Sequence, residues 1–155
     1  MAIVMITHDL GVVAEVADDI AVMYAGRVVE HAPKDMMFAA PEHPYTWGLL
    51  KSIPRLGSGR GDELVPIPGR PPSLILTPPG CSFHPRCPYV RESHKRIDPE
   101  LAMTAGDGHS VACLLPPETR RALWAELGRG ATPEEAKQRV RIPEATAVDE
   151  QAVSS

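Results

Sequence analysis

The chain opens with an unbroken apolar run, residues 2–6, which stops at Thr7, His8 and Asp9. A short continuous run of this kind is typical of a strand buried on both faces of a parallel sheet. The sequence therefore predicts a strand at residues 2–6, with His8 at its carboxyl end. Ligands of open α/β sheets bind at that edge, so His8 is a candidate ligand contact. The alternative is a partly buried loop histidine that satisfies its own hydrogen bonds.

From Leu10 onward the hydrophobic pattern is first that of a helix and then that of strands. Apolar residues recur at three- and four-residue spacings from Leu10 to Ile20, which predicts an amphipathic helix packed on a sheet. Two strand-like runs, residues 20–24 and 27–30, flank Ala25-Gly26 and predict a β-hairpin. Further short helices are predicted at residues 34–40, 44–53, 116–128 and 134–141.

These elements predict an α/β fold that this chain does not complete. One strand, one helix and one hairpin cannot close a doubly wound sheet, because a strand buried on both faces needs neighbours on both sides. The chain is therefore expected to be a piece of something larger, or to complete another chain. The predicted organisation is a strand–helix–hairpin region followed by a loop-rich extension and short helices. Its five parts are residues 1–55, a Pro/Gly-rich linker at 56–79, a Cys/His cluster at 80–115, helices at 116–141 and a disordered tail at 142–155.

Composition narrows the possible partners. The 155 residues carry a net charge of −4, which argues against a nucleic-acid partner. No apolar run approaches the roughly 20 residues of a membrane span, and the start lacks the features of a signal peptide. The three cysteines are an odd number, which does not suit a secreted disulfide framework. A cytosolic protein with metal-binding or free thiols is expected.

The cysteines and a histidine have a spacing that suits a metal site. They form the pattern Cys81-x5-Cys87-x6-His94-x18-Cys113. Thiolates and imidazoles are ligands that zinc and iron–sulfur clusters prefer, and a bound metal would stabilise a proline-rich region with little core. His84 and His109 are spare candidates. Three reduced, unligated cysteines remain the alternative interpretation.

The first stretch resembles the end of an ABC transporter nucleotide-binding domain. The residues that carry the resemblance are Ile6-Thr7-His8-Asp9-Leu10 and the segment from Val22 to Glu30. His8 matches the family's switch histidine. The resemblance implies that His8 contacts the terminal phosphate of ATP and helps to position the attacking water, a role that suits an imidazole at the carboxyl edge of a sheet.

The parts of that family that bind phosphate and magnesium do not occur in this sequence. It contains no GxxxxGK[ST] phosphate loop, no LSGGQ-like signature and no apolar strand that ends in Asp-Glu. The chain alone is therefore expected to be inactive as an ATPase. ATP would be used only together with an upstream part of the nucleotide-binding domain. The implied partners are that part, a second ATP-binding subunit and membrane permease subunits.

Later motifs are similar to the C-terminal extension of ATP-binding subunits from oligopeptide, dipeptide and nickel importers. They are the HPYT sequence at residues 43–46, the IPG and PPS sequences between 67 and 73, and the cysteine region. Similar subunits carry four cysteines there, which implies a 4Fe-4S cluster. His94 stands in place of the third cysteine, so an iron–sulfur cluster and a zinc ion both remain possible.

The sequence leaves three interpretations of its function open. The first is part of an importer's ATP-binding subunit, which would lie in the cytoplasm, peripheral to the inner face of the cell membrane. The second is a stand-alone metal-binding structural or interaction module. The third is a gene fragment with no function of its own.

Overall fold

A computed structural model describes residues 2–52, 67–70, 72–73, 75–104 and 108–144. The described residues form a mixed α/β structure with one antiparallel sheet and short helices. The helices are α1 (Leu10–Val16), α2 (Lys34–Ala39), α3 (Pro44–Lys51), α4 (Pro117–Gly128) and α5 (Pro133–Arg139). The strands are β1 (Asp19–Tyr24), β2 (Arg27–Pro33), β3 (Ala102–Met103) and β4 (Ser110–Val111), and single 3₁₀ turns form at His84–Arg86 and Ser93–Lys95.

The predicted hairpin is confirmed and forms the larger part of the sheet. β1 and β2 pair antiparallel, and the turn between them places both Ala25 and Gly26 at positive φ, 49° and 79°. Two consecutive residues of this conformation define the hairpin turn that matches the twist of the flanking strands. The sheet order is β1-β2-β4-β3. The two short strands β3 and β4 were not predicted, because two-residue strands leave no alternation to recognise.

A register shift between Val22 and Met23 changes which residues of β2 face inward. Val22 pairs with Glu30 and Met23 pairs with Val28, so Val29 is the extra residue of a bulge. Val29 and Glu30 are consequently both buried although they are consecutive. This bulge places a carboxylate inside the protein.

Two hydrophobic clusters hold the described residues together. The first lies between the hairpin and α2 and includes Met37 and Phe83. The second joins α3, α4 and α5 around Trp47 and Tyr89. Trp47 is only 2% exposed. The cysteine region lies between the clusters, since Cys87 packs against both.

The strand predicted at residues 2–6 does not form within the described residues. Ile3, Val4 and Ile6 are 74%, 91% and 97% exposed, and no strand pairs with this segment in the described part of the chain. Helix α1 follows it and buries none of its residues. The physical reason is the one that the sequence suggested: an apolar strand needs neighbouring strands, and β1–β4 pair only among themselves.

The other predicted elements are largely confirmed, and the tail is corrected at its start. Most of the linker at residues 56–79 lies outside the described residues. Its described part at 67–70 is held by Arg86, which donates from Nε to Pro68 O at 2.9 Å and from Nη2 to Ile67 O at 3.2 Å. Residues 142–144 were predicted to be disordered, but Ile142 is buried; residues 145–155 lie outside the described part. Among the described residues, no helix has the length and hydropathy that a membrane span requires.

Candidate functional site

His8 lies at the end of the exposed N-terminal segment, immediately before α1. The residues on both sides of it start the helix. Thr7 Oγ1 accepts a hydrogen bond from Asp9 N at 3.0 Å, and Asp9 caps α1 by accepting from Gly11 N at 2.8 Å. The Thr-His-Asp sequence therefore turns the chain into α1 and leaves His8 exposed to solvent.

The backbone brings the cysteine region into one folded loop. Cys81 precedes the first 3₁₀ turn and Cys87 follows it, while His94 lies in the second turn. Cys81 N donates to His94 O at 2.9 Å, which joins the two turns. Gly80 makes this approach possible: its φ is +70°, and a Cβ there would lie 2.6 Å from His94 O.

The three thiols are close enough to influence one another. Burial raises the pKa of Cys81 and of Cys87, and it raises the pKa of Cys113 to about 12. A negative charge on Cys113 or Cys81 raises the pKa of Cys87 further, whereas the Arg120 guanidinium acts to lower that of Cys113. The thiols are therefore protonated near neutral pH in this state, and a nearby positive charge would favour the loss of their protons.

His94 is the predicted fourth ligand and has an unsatisfied ring nitrogen. The residue is only 5% exposed, and burial lowers its pKa, so the ring is neutral near pH 7. Nδ1 accepts a long hydrogen bond of 3.3 Å from Arg91 N. Nε2 is buried with no hydrogen-bond partner among the described residues. A buried nitrogen without a partner is rare, and here it lies in the loop that carries two of the thiols.

The four predicted ligands do not come together around one point in this structure. Within the described ranges, no three Cys, His, Asp or Glu side chains stand close enough together to hold a metal ion. The spare histidines are engaged elsewhere: His84 Nδ1 lies 3.0 Å from Cys81 O, and His109 Nε2 lies 2.8 Å from Glu30 Oε1. The donor types suit a metal, but the side chains would have to turn toward one another to bind it.

A buried polar network next to the cysteines was not predicted. Glu30, fully buried by the bulge in β2, accepts hydrogen bonds from the backbone N–H groups of Glu42 and His43 and contacts His109. The network joins β2, the segment before β4 and the start of α3. A glutamate that directly follows two valines in a strand was the signal in the sequence, but its partners lie 12 to 79 residues away.

The network continues into α4 through an ion pair. Arg120 Nε donates to Glu42 Oε2 at 2.7 Å, and Arg120 Nη1 donates to Leu115 O at 2.7 Å. Both charged side chains are buried. Loss of one member would leave a buried charge uncompensated, so this pair fixes α4 against the loop before α3.

A cavity of about 330 Å³ opens beside Cys81. His43, Ser82 and Leu101 line it, and Arg27 and Asp98, which form an ion pair, lie at its wall. His8, Cys87 and Cys113 do not line it. Cys81 is therefore the thiol that faces this cavity, while the other two lie against the second hydrophobic cluster.

Comparison with known proteins shows that part of the chain matches the model of a known family. Residues 29–93 match the family described as the oligopeptide/dipeptide transporter, C-terminal region. This match covers most of the hairpin's second strand, the HPYT sequence, Cys81 and Cys87, and it ends just before His94.

Individual relatives extend the similarity toward both ends. The chain is 54% identical over 112 residues to the oligopeptide transport ATP-binding protein OppD of Mycobacterium bovis, which covers 72% of this chain and 18% of that protein. It is 49% identical over 131 residues to the dipeptide transport ATP-binding protein DppD of Bacillus subtilis, which covers 84% and 38%. It is 48% identical over 117 residues to OppD of Salmonella typhimurium, which covers 76% and 34%. The chain thus spans well under half the length of these curated relatives.

Proposed function

We propose, from the premise that this chain carries the C-terminal region of the oligopeptide/dipeptide transporter family, that it forms the C-terminal part of the ATP-binding subunit of a peptide importer. In this proposal the whole subunit hydrolyses ATP to drive peptide uptake. Its partners are a second ATP-binding subunit and membrane permease subunits, and it lies at the cytoplasmic face of the membrane. The observation that carries the proposal is the family match, together with relatives that are ATP-binding proteins of peptide transport.

The exposed N-terminal segment supports an upstream partner. Ile3, Val4 and Ile6 are 74%, 91% and 97% exposed, an arrangement that costs free energy in water and is expected where another surface covers it. The proposed occupant is the upstream part of the nucleotide-binding domain, because the relatives are more than twice as long as the matched region. Pairing there would turn residues 2–6 into a buried strand and bring His8 to its carboxyl end.

His8 would then act on the terminal phosphate of ATP. A neutral imidazole that donates a hydrogen bond stabilises the negative charge that develops during phosphoryl transfer. The phosphate loop and magnesium ligands would come from the upstream part, since this sequence contains neither motif. The chain alone is therefore expected to lack ATPase activity.

A fusion tests this proposal. The upstream part of the Bacillus subtilis DppD protein, cut where its match to this chain begins, is joined to residues 1–155. The fusion is expected to hydrolyse ATP, and His8→Ala is expected to lower kcat about a hundredfold or more, as loss of a group that stabilises the transition state does. His31→Ala, on the half-buried surface of β2, is the matched control.

Two outcomes would contradict the proposal. Hydrolysis by the pure chain that His8→Ala abolishes would show that no upstream part is needed. A folded, nucleotide-binding fusion whose rate is the same with and without His8 would remove the proposed role of this residue.

The proposal includes a metal centre at Cys81, Cys87, His94 and Cys113. It is supported by three partly buried thiols that influence each other's pKa and by the Nε2 of His94, which has no partner among the described residues. Ligation through Nε2 would move the ring proton to Nδ1 and release the bond from Arg91. A metal ion or 4Fe-4S cluster would supply the positive charge that deprotonated thiols need and would tie the loops together. Metal analysis and the visible spectrum of the purified chain separate iron–sulfur, zinc and bare thiols.

A further inference from the structure

The chain after α5 does not leave the protein but returns over the cysteine region. Residues 140–144, here called the strap, follow the end of α5. Ile142 is 6% exposed and belongs to the second hydrophobic cluster, against which Cys87 and Cys113 also pack. Val140 packs on the same cluster. The strap thus shares one hydrophobic cluster with two of the three thiols, both of which are partly buried.

Hydrogen bonds fasten the strap to the turn that carries His94. Arg91 Nε donates to Ile142 O at 3.0 Å. The Glu144 carboxylate accepts from Ser93 Oγ at 3.0 Å and from Ser93 N at 3.4 Å, and the backbone N–H of Glu92 also donates to it. One carboxylate therefore binds the backbone N–H and the hydroxyl of Ser93 at the start of a single 3₁₀ turn and links that turn to the strap.

The same turn holds the imidazole and one thiol. Arg91 N donates to His94 Nδ1, and His94 O accepts from Cys81 N at 2.9 Å. A displacement of the turn would therefore move the His94 ring, whereas the Cys81 thiol would still face the cavity. The strap lies outside the matched family region, which ends at residue 93.

We propose that residues 140–144 close the Cys/His cluster, with Glu144 as the positioning residue that holds the turn of His94 and keeps Cys87 and Cys113 covered. The inference rests on the proposed function in taking this cluster to be a site. The inference goes beyond the proposed function because the strap can cover the thiols whether or not a metal is bound. Release of Glu144 would free the turn and the strap together and would expose Cys87 and Cys113 to solvent.

Alkylation of the thiols tests the strap directly. The full chain is reduced, treated with chelator and exposed to brief pulses of iodoacetamide, and the modification of each cysteine is measured by peptide mass spectrometry. Glu144→Ala is expected to speed alkylation of Cys87 and Cys113 about tenfold, as loss of one charge-assisted hydrogen bond would. Glu144→Gln, which keeps an acceptor oxygen, is expected to restore part of the protection.

Two controls separate local opening from unfolding. Cys81 faces the open cavity, so its alkylation rate is expected to be the same in the wild type and in Glu144→Ala. Glu15→Ala, at an exposed glutamate on α1, is expected to leave all three rates unchanged.

Each outcome decides the proposal. Faster alkylation confined to Cys87 and Cys113 supports it. Unchanged rates in Glu144→Ala, or a joint increase at all three thiols that indicates opening of the whole domain, would overturn it. Metal content of the untreated wild type is measured alongside: bare thiols with a clear Glu144 effect would reject the metal centre and leave the strap in place.

Discussion

His43 is a buried residue whose role depends on having no charge. It caps α3, since its Nδ1 accepts from Tyr45 N at 3.0 Å, and the ring also bonds to the backbone of Ala112. Burial lowers the pKa of His43 to about 4, although the Glu30 carboxylate opposes this shift; Arg120 adds to it. The residue therefore stays neutral in the folded chain at pH values where an unfolded chain would already bind a proton.

This difference predicts a pH-dependent stability. Between pH 6.5 and 4 the unfolded state binds a proton that the folded state does not, so stability falls as the pH falls through this window. From pH 7.5 to 5 the loss due to His43 is expected to be about 2 kcal/mol. His43→Asn keeps an acceptor for Tyr45 N but cannot titrate. Urea unfolding at both pH values is expected to show a smaller decline for His43→Asn than for the wild type.

A variant of a second histidine serves as the control for that measurement. His31→Asn replaces a half-buried histidine on β2 and is expected to leave the decline between pH 7.5 and 5 unchanged. An equal decline in the wild type and in His43→Asn would show that His43 is not the residue responsible.

At the scale of elements, the hairpin and helices followed from local pattern, and the rest did not. Alternation along β1, the Ala25-Gly26 turn and the Thr132 capping box with Glu135 are all local signals. The pairing of β4 with β2, the burial of Glu30 and the strap depend on residues far apart in the chain, for which one sequence carries no periodic signal. At residues 2–6, by contrast, the sequence has the pattern of a strand but the described structure has no strand there.

The hairpin turn offers a test at this scale. Ala25 has φ of 49°, a conformation that costs an L-residue with a Cβ about 1 kcal/mol and that asparagine tolerates better. Ala25→Asn is therefore expected to raise the free energy of unfolding by about 0.5 to 1 kcal/mol, measured by urea denaturation. The same change at Ala21, in extended backbone on the exposed face of β1, is not expected to stabilise. A destabilised Ala25→Asn chain would show that this turn differs from the one described.

At the scale of the whole molecule, three regions differ in how completely their polar groups are paired and their apolar side chains are buried. The buried network of Glu30, Glu42 and Arg120 fixes the hairpin, the HPYT segment and α4 relative to one another. The cysteine region is closed but has the partnerless Nε2 of His94. The N-terminal segment and α1 bury almost nothing. The candidate ligands could be named from the sequence, whereas their failure to converge and the solvent-exposed position of His8 required coordinates.

Hydrogen exchange at residues 2–9 is the measurement that tests the central proposal most directly. It is made on the chain alone and on the fusion with the upstream part of the Bacillus subtilis relative. In the chain alone these amides are expected to exchange within seconds, because no strand pairs with them in the described residues. In the fusion they are expected to exchange at least about a hundredfold more slowly, as amides of a buried strand do. Fast exchange in a folded fusion, or strong protection in the chain alone, would contradict the proposal that an upstream domain completes this strand and places His8.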